Sequence, residues 1–192
     1  MTSAERTAII NDFLASMNIF SSAINELMVA QLGDELGGEL TIPQLKLLKL
    51  IARTETESIS EIAAFLGVSN AASSKAVDRL VRRGLVMRAE SQDDRRATRL
   101  LITAKGLTLL ERYEQVQNRV LEGLFRQFMA EDFVETAELL DQLSADLVKE
   151  GSGPKELCFR CGIYFRDRCL LRDLHERTCY CNLKKRKKGD GN

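Results

Sequence analysis

Apolar residues recur at helical spacing near both ends of the sequence. From 4 to 31 they fall every three or four positions, which predicts one long helix with a single apolar stripe. That stripe consists of Ile10, Phe13, Met17, Phe20, Ile24 and Leu27. A second stripe after the helix cap Thr103 predicts an unbroken helix over 104–129, about 39 Å long at 1.5 Å per residue. A last apolar helix opens at Asp132.

Between these two long elements the pattern predicts shorter helices. Thr41 is suited to capping a helix that has Pro43 in its first turn and ends near Arg53. Ser60 is suited to capping a short helix, EIAAFL, that stops at Gly67.

Ser69 caps the next helix, which stops at Gly84. Two helices joined by a turn with glycine make a helix-turn-helix. The β-prone runs 85–89 and 97–103 flank a polar turn and predict a two-stranded wing. We therefore expect a mainly α fold with a small β wing: a winged helix-turn-helix between long terminal dimerisation helices.

The domain division follows from a break in the pattern. GSGP at 151–154 separates a globular unit, residues 1–150, from a cysteine-rich tail, residues 151–192, that ends in basic residues. The terminal helices are too long and too apolar for a small winged domain to cover, so we expect a homodimer.

Charge is segregated although the net charge is zero. Residues 1–69 and 106–157 are acidic, whereas 70–105 holds 9 basic against 4 acidic residues and 158–192 holds 10 against 4. A basic stretch in a neutral protein suits a polyanion, because only the face that meets phosphate must be positive. Solvated surface charge is the alternative interpretation.

The helix after Ser69 has the residue types of a DNA-reading helix, with short polar side chains first and cationic ones later. We expect contacts with double-stranded DNA from Asn70, Ser73, Ser74, Lys75, Arg79, Arg82 and Arg83. Ala72, Ala76, Val77 and Leu80 are expected to face inward. At the wing tip, Arg95 and Arg96 are placed to enter a minor groove.

Here the sequence resembles the MarR family. SISEIAAFLGVSNAASSKAVDRLVRRGLV and DDRRATRLLITAKG are similar to that family's recognition helix and wing, and the resemblance spans roughly residues 5–149. Ser91 and Gln92 depart from the acidic residue and proline that the family often has in the wing. The resemblance implies a two-fold dimer on a palindromic operator and, in many members, a small-molecule effector between the dimerisation helices and the winged domain.

The tail gathers all five cysteines and the one histidine of the chain. They follow the order C-x2-C-x7-C-x5-H-x3-C-x-C: Cys158, Cys161, Cys169, His175, Cys179 and Cys181. Four of these suit a tetrahedral zinc ion, and four thiolates suit a [4Fe–4S] cluster. A metal-free thiol switch is a third alternative. The five basic residues at 184–188 are either a solvated tail or an auxiliary phosphate contact.

The favoured function is a DNA-binding transcriptional regulator, modulated through a metal or redox centre in the tail, and not an enzyme. One alternative is a regulator with a purely structural zinc tail and a small-molecule effector. Another is a thiol oxidoreductase using Cys158 and Cys161, although no thioredoxin-like pattern surrounds them. A protein whose tail docks a partner is a further alternative. The sequence shows no apolar run near bilayer length and no signal peptide, which predicts a cytoplasmic protein without membrane contact.

Overall fold

The computed structural model describes residues 1–34, 40–54, 59–90 and 98–151. Within them the chain forms six helices and one antiparallel pair of strands. In chain order these are α1 (Ser3–Asp34), α2 (Ile42–Thr54), α3 (Ile59–Leu66), α4 (Asn70–Arg82), β1 (Val86–Glu90), β2 (Thr98–Ile102), α5 (Ala104–Phe125) and α6 (Ala130–Gly151). The predicted fold class, mainly helical with a small β wing, is confirmed.

Two helices begin with reciprocal caps that the local sequence encodes. Before α2, the Gln44 amide donates to Thr41 Oγ1 at 3.4 Å, and the Thr41 amide donates to Gln44 Oε1 at 3.0 Å. Thr2 and Glu5 make the same pair of bonds before α1. Each pair satisfies two main-chain groups that would otherwise lack partners in the first turn, which explains why the helices start there.

The hydrophobic core is centred on α2. Its side chains Leu45, Leu48 and Ile51 are fully buried, and α2 packs against α3, α4, α5 and β2. Leu80 of α4 and Tyr113 of α5 complete the same cluster. Because one central helix contacts the elements on both sides of the winged domain, its burial holds that domain together.

Each helix of the helix-turn-helix is followed by the glycine that was expected to end it. Gly67 and Gly84 have φ of 67° and 68°, in the left-handed region that glycine adopts without steric cost. Ser69 caps α4 as predicted, its Oγ accepting from the Ala72 amide at 3.3 Å. The prediction that Ser60 caps α3 was wrong, because α3 already includes Ile59 and Ser60 lies inside it.

The run Thr103 to Gly106 joins the wing to α5 and ties both to the end of α4. Thr103 Oγ1 donates to the Gly84 carbonyl at 2.7 Å and accepts from the Gly106 amide at 3.1 Å. Lys105 Nζ donates to the Arg83 carbonyl at 3.1 Å, where a cation also favours the helix C-terminus. A Cβ on Gly106 would lie 2.2 Å from the Leu85 carbonyl oxygen, so only glycine fits this approach.

The helix predicted over 104–129 is four residues shorter than expected. α5 ends at Phe125, and α6 begins at Ala130, two residues before the predicted start at Asp132. The turn between them packs Phe125 on Phe128 and Phe133, with ring centroids 6.3 and 5.6 Å apart. Asp132 Oδ2 accepts from the Met129 amide at 3.0 Å and so stabilises the start of α6. The turn at 126–129 contains neither glycine nor proline, and the three aromatic rings pack together across it.

α1 leaves most of its apolar surface uncovered in the single copy. Of its predicted stripe, Ile10 and Phe20 are 48% and 54% exposed. Among the described residues, the segment Ser3–Ala30 of α1 is long and apolar enough to cross a membrane by length and composition alone, and only 6% of its most apolar stretch is buried. This corrects the expectation that no apolar run approaches bilayer length. A helix that packs against a second copy of the chain has the same composition.

Candidate nucleic-acid interface

The exposed face of α4 is cationic. Lys75, Arg79 and Arg82 are exposed and lie three or four residues apart, so one side of the helix presents them together. Asn70 is exposed in the first turn, and Arg83 is half-buried at the far end. A helix that carries short side chains at its start and cations along one side fits a DNA groove between two phosphate backbones.

The structure contradicts the prediction that Ser73 reads bases. Ser73 is fully buried, and its Oγ donates to the Ile59 carbonyl at 3.1 Å. The hydroxyl therefore joins α4 to the start of α3 and cannot reach a ligand in solvent. Ser74, beside it, is half-buried and stays a candidate at the edge of the exposed face.

Two alanines in the first turn of α4 lie on its exposed face, against the prediction for one of them. Ala72, predicted to face inward, is exposed, and so is Ala71. Of the other predicted inward positions, Val77 and Leu80 are buried and Ala76 is half-buried. Small side chains on the exposed first turn let the backbone approach a groove closely, and their methyl groups suit the thymine methyl.

An ion pair connects α4 to the first strand of the wing. Arg88 Nη2 of β1 donates to Asp78 Oδ1 of α4 at 2.6 Å, and the two side chains are 48% and 46% exposed. Sequence reasoning missed Arg88, because the pairing depends on how β1 packs against α4. The only signal in the sequence is an acidic residue among the cations of a basic segment.

Several predicted site residues lie outside the described residues. The wing strands are in place, with Val86 opposite Ile102 and Arg88 opposite Leu100. The tip residues Arg95 and Arg96 fall in the undescribed segment 91–97, together with Ser91 and Gln92. The metal-ligand candidates of the tail, Cys158, Cys161, Cys169, His175, Cys179 and Cys181, fall beyond residue 151 and are likewise outside it. Among the described ranges no cluster of three or more His, Cys, Asp or Glu side chains could hold a metal ion.

A small cavity lies between α2 and α5. It measures about 250 Å³ and has Lys49, Arg53, Leu110 and Glu114 among its lining residues. Lys49 is 7% exposed; its Nζ lies 3.1 Å from Glu114 Oε1 and 5.1 Å from the centre of the Tyr113 ring. Glu114 and the aromatic ring together compensate for the burial of this ammonium group.

Comparison with known proteins agrees with this geometry. Residues 40–98, which hold α2, α3, α4 and β1, match the model of the MarR family. The chain is 33% identical over 97 residues to an uncharacterised HTH-type transcriptional regulator of Bacillus subtilis (strain 168), YfiV. That alignment covers 45% of this chain and 61% of the relative.

Solved structures show the same fold over more of the chain. A MarR protein from Peptoclostridium difficile is 26% identical, covers 72% of this chain with 89% of its own, and superposes with a TM-score of 0.56. The FabT protein of Streptococcus pneumoniae, solved in complex with DNA, is 20% identical, covers 74% of this chain with 98% of its own, and gives a TM-score of 0.60. The described part of this chain therefore has the winged helix fold of MarR proteins.

Proposed function

We propose that this chain is a transcriptional regulator of the MarR type that binds double-stranded DNA in a sequence-specific manner and has no enzymatic role. The observation that carries the proposal is the exposed cationic face of α4, held beside a two-stranded wing in a segment that matches the MarR family model. The FabT structure supports it, because a protein of the same fold was solved with DNA.

The proposed working form is a homodimer that places two α4 helices on a palindromic operator. Its interface is formed by α1, α5 and α6, where Phe20, Phe128 and Phe133 are 54%, 49% and 45% exposed around an apolar groove of about 500 Å³. Large apolar side chains clustered on a surface mark an interaction site, and a two-fold copy covers both such surfaces at once. The same covering accounts for the apolar α1 without a membrane, and we propose a cytoplasmic location.

Arg79 and Arg82 test the assignment of α4. Arg79→Ala and Arg82→Ala should weaken binding to any duplex and reduce the dependence of affinity on salt, since each lost phosphate contact lowers the logarithmic salt slope by about 1. Arg53→Ala, at the exposed end of α2 and away from both α4 and the proposed dimer interface, is the matched control and should bind like wild type. Equal salt slopes in all four proteins would refute the assignment of α4 as the DNA-binding helix.

The wing tip is proposed as a second contact. Arg95→Ala and Arg96→Ala should reduce affinity most on duplexes with A·T-rich flanks, because a narrow minor groove concentrates negative potential. The measurement compares A·T-rich and G·C-rich flanks at one salt concentration. Unchanged affinity in both variants would remove the wing from the interface.

We further propose that the tail binds one metal centre through four of Cys158, Cys161, Cys169, His175, Cys179 and Cys181, and that this centre modulates DNA binding. The support is chemical: closely spaced thiols in a small segment fold around an ion, since the ligands converge only when it is present. Zinc, a [4Fe–4S] cluster and a metal-free thiol switch make different predictions.

Anaerobic purification and metal analysis separate the three. A [4Fe–4S] cluster gives a brown protein that contains iron and sulfide, and zinc gives a colourless protein that releases the metal to chelators. A thiol switch gives a protein without bound metal. Cys158→Ser and Cys161→Ser should each abolish stoichiometric metal. Regulation through this centre would be contradicted by equal operator affinity of metal-loaded and metal-stripped dimers, both verified as folded.

A small-molecule effector is the alternative source of regulation. The cavity between α2 and α5 is smaller than the range of about 300–1,000 Å³ typical of ligand pockets, and its lysine is already paired with Glu114. We therefore propose that DNA binding is regulated through the tail, and we propose no effector for this cavity.

A further inference from the structure

A carboxylate stands where DNA binding would least favour one. Asp78 lies on α4 three residues after Lys75 and four before Arg82, and it is half-buried at the edge of the cationic face. Phosphates brought to that face would be repelled by an isolated carboxylate. The residue therefore needs either a neutralising partner or a role that outweighs the repulsion.

Arg88 supplies the partner and arrives from a different element. Its Nη2 lies 2.6 Å from Asp78 Oδ1, a short distance typical of a charge-assisted hydrogen bond. A guanidinium group has five N–H donors in a rigid fork, so a bond from one nitrogen leaves others available. Since the Arg88 side chain is 48% exposed, those donors reach solvent beside the cationic face of α4.

The backbone of Arg88 is held by pairing with β2 and by buried neighbours. Arg88 pairs with Leu100 of β2, whose side chain is 3% exposed, and Val86, two residues earlier, is 2% exposed. The base of the side chain is thus fixed by the sheet while its tip is held by Asp78. A long cation that is held at both ends loses little conformational freedom when it binds an anion.

We propose that Arg88 contacts the DNA backbone and that Asp78 is the positioning residue that orients its guanidinium group toward a phosphate. This inference rests on the proposed function and adds a phosphate contact between the reading helix and the wing. The ligand chemistry is a phosphodiester of duplex DNA, bound without regard to base sequence.

Asp78→Asn gives the sharpest test, because two accounts predict opposite signs. If Asp78 only repels phosphate, removing its charge should tighten binding to every duplex. If it positions Arg88, the same change should weaken binding despite the more favourable net charge. Glu111→Gln, which removes an exposed carboxylate that lines the cavity between α2 and α5, is the matched control for charge alone and should leave affinity unchanged.

The experiment measures binding of the full-length protein to a mixed-sequence duplex of about three helical turns, over a series of salt concentrations. Arg88→Gln should weaken binding and lower the logarithmic salt slope by about 1 per subunit, or about 2 per dimer. Asp78→Asn should weaken binding in the wild-type background and have no further effect in Arg88→Gln. Arg88→Lys keeps the charge without the fork and should recover part of the affinity.

Other results overturn the inference in identifiable ways. Tighter binding by Asp78→Asn, or wild-type affinity and salt slope in Arg88→Gln, would show that the pair does not serve DNA binding. No recovery in Arg88→Lys would make Arg88 a structural residue. A half-exposed pair adds little stability, so all variants should keep the wild-type circular dichroism spectrum and melting temperature. A wild-type protein that binds no duplex would instead remove the proposed function, and this inference with it.

Discussion

Gly106 lies in the first turn of α5, where this helix contacts the winged domain, and its replacement by alanine tests that contact. The new Cβ would lie 2.2 Å from the Leu85 carbonyl oxygen and 2.8 Å from Ile102 Cγ1, whereas ordinary contacts begin near 3.4 Å. Because one obstacle is backbone, a side-chain rotation cannot relieve it. α5 must shift away from the end of α4, and the bonds made by Thr103 and Lys105 must lengthen.

The magnitude follows from opposing effects. Overpacking of this kind costs about 1–3 kcal/mol, and weakening the two hydrogen bonds costs about 1 kcal/mol more. Alanine gains at most about 1 kcal/mol over glycine in a helix, and less in the first turn. Gly106→Ala should therefore lose about 2 kcal/mol, which corresponds to a fall of about 4–8 °C in melting temperature for a protein of this size.

Gly123 provides the matched control, since it lies in the same helix and a Cβ added there would meet nothing within 4 Å. Gly123→Ala should gain up to about 1 kcal/mol and melt about 2–4 °C higher. Thermal unfolding followed by circular dichroism compares both variants with wild type. A Gly106→Ala protein that melts at or above the wild-type temperature would show that the contact is not tight.

Two further predictions concern buried polar groups. Ser73→Ala removes a buried hydrogen bond and should lower the free energy of unfolding in urea by about 1–3 kcal/mol, while the folded protein keeps its base preferences. Ser74→Ala is the half-buried control. A change in base preference with Ser73→Ala alone would contradict the assignment of Ser73 as a structural residue. Glu114→Gln leaves the buried Lys49 without its carboxylate and should cost about 1–2 kcal/mol, less than a fully buried pair because Glu114 is 48% exposed. Adding Lys49→Met should restore most of that loss, and a single variant as stable as wild type would refute the pairing.

The features predicted correctly from sequence are those that neighbouring residues determine. Ser69 and Thr103 cap helices through bonds to amides three residues ahead, so their type and position suffice. Gly84 follows the end of α4 because its own φ is positive, a conformation that glycine adopts without steric cost. Such short-range chemistry also explains why the order of elements and the wing were expected in the right places.

The features that were missed depend on packing between elements. Serine is a residue type that can contact bases, yet Ser73 lies on the buried face of α4 because α3 packs against it there. The end of α5 at Phe125 has no glycine or proline to mark it, and there the Phe125 ring contacts Phe128 and Phe133. Arg88 pairs with a residue ten positions earlier only because β1 packs on α4. Contacts of this kind are not encoded in local spacing.

Whether the protein reads the sequence of double-stranded DNA is decided by its specificity ratio, the affinity for a selected duplex divided by the affinity for a scrambled one. A duplex selected by the full-length protein from a random pool is compared with a scrambled duplex of the same composition at physiological salt. We expect the selected duplex to contain an inverted repeat with half-sites about 10 base pairs apart, bound at least about 1,000-fold more tightly than the scrambled duplex. Equal affinity for the two duplexes, or a selection that yields no common sequence, would contradict this expectation.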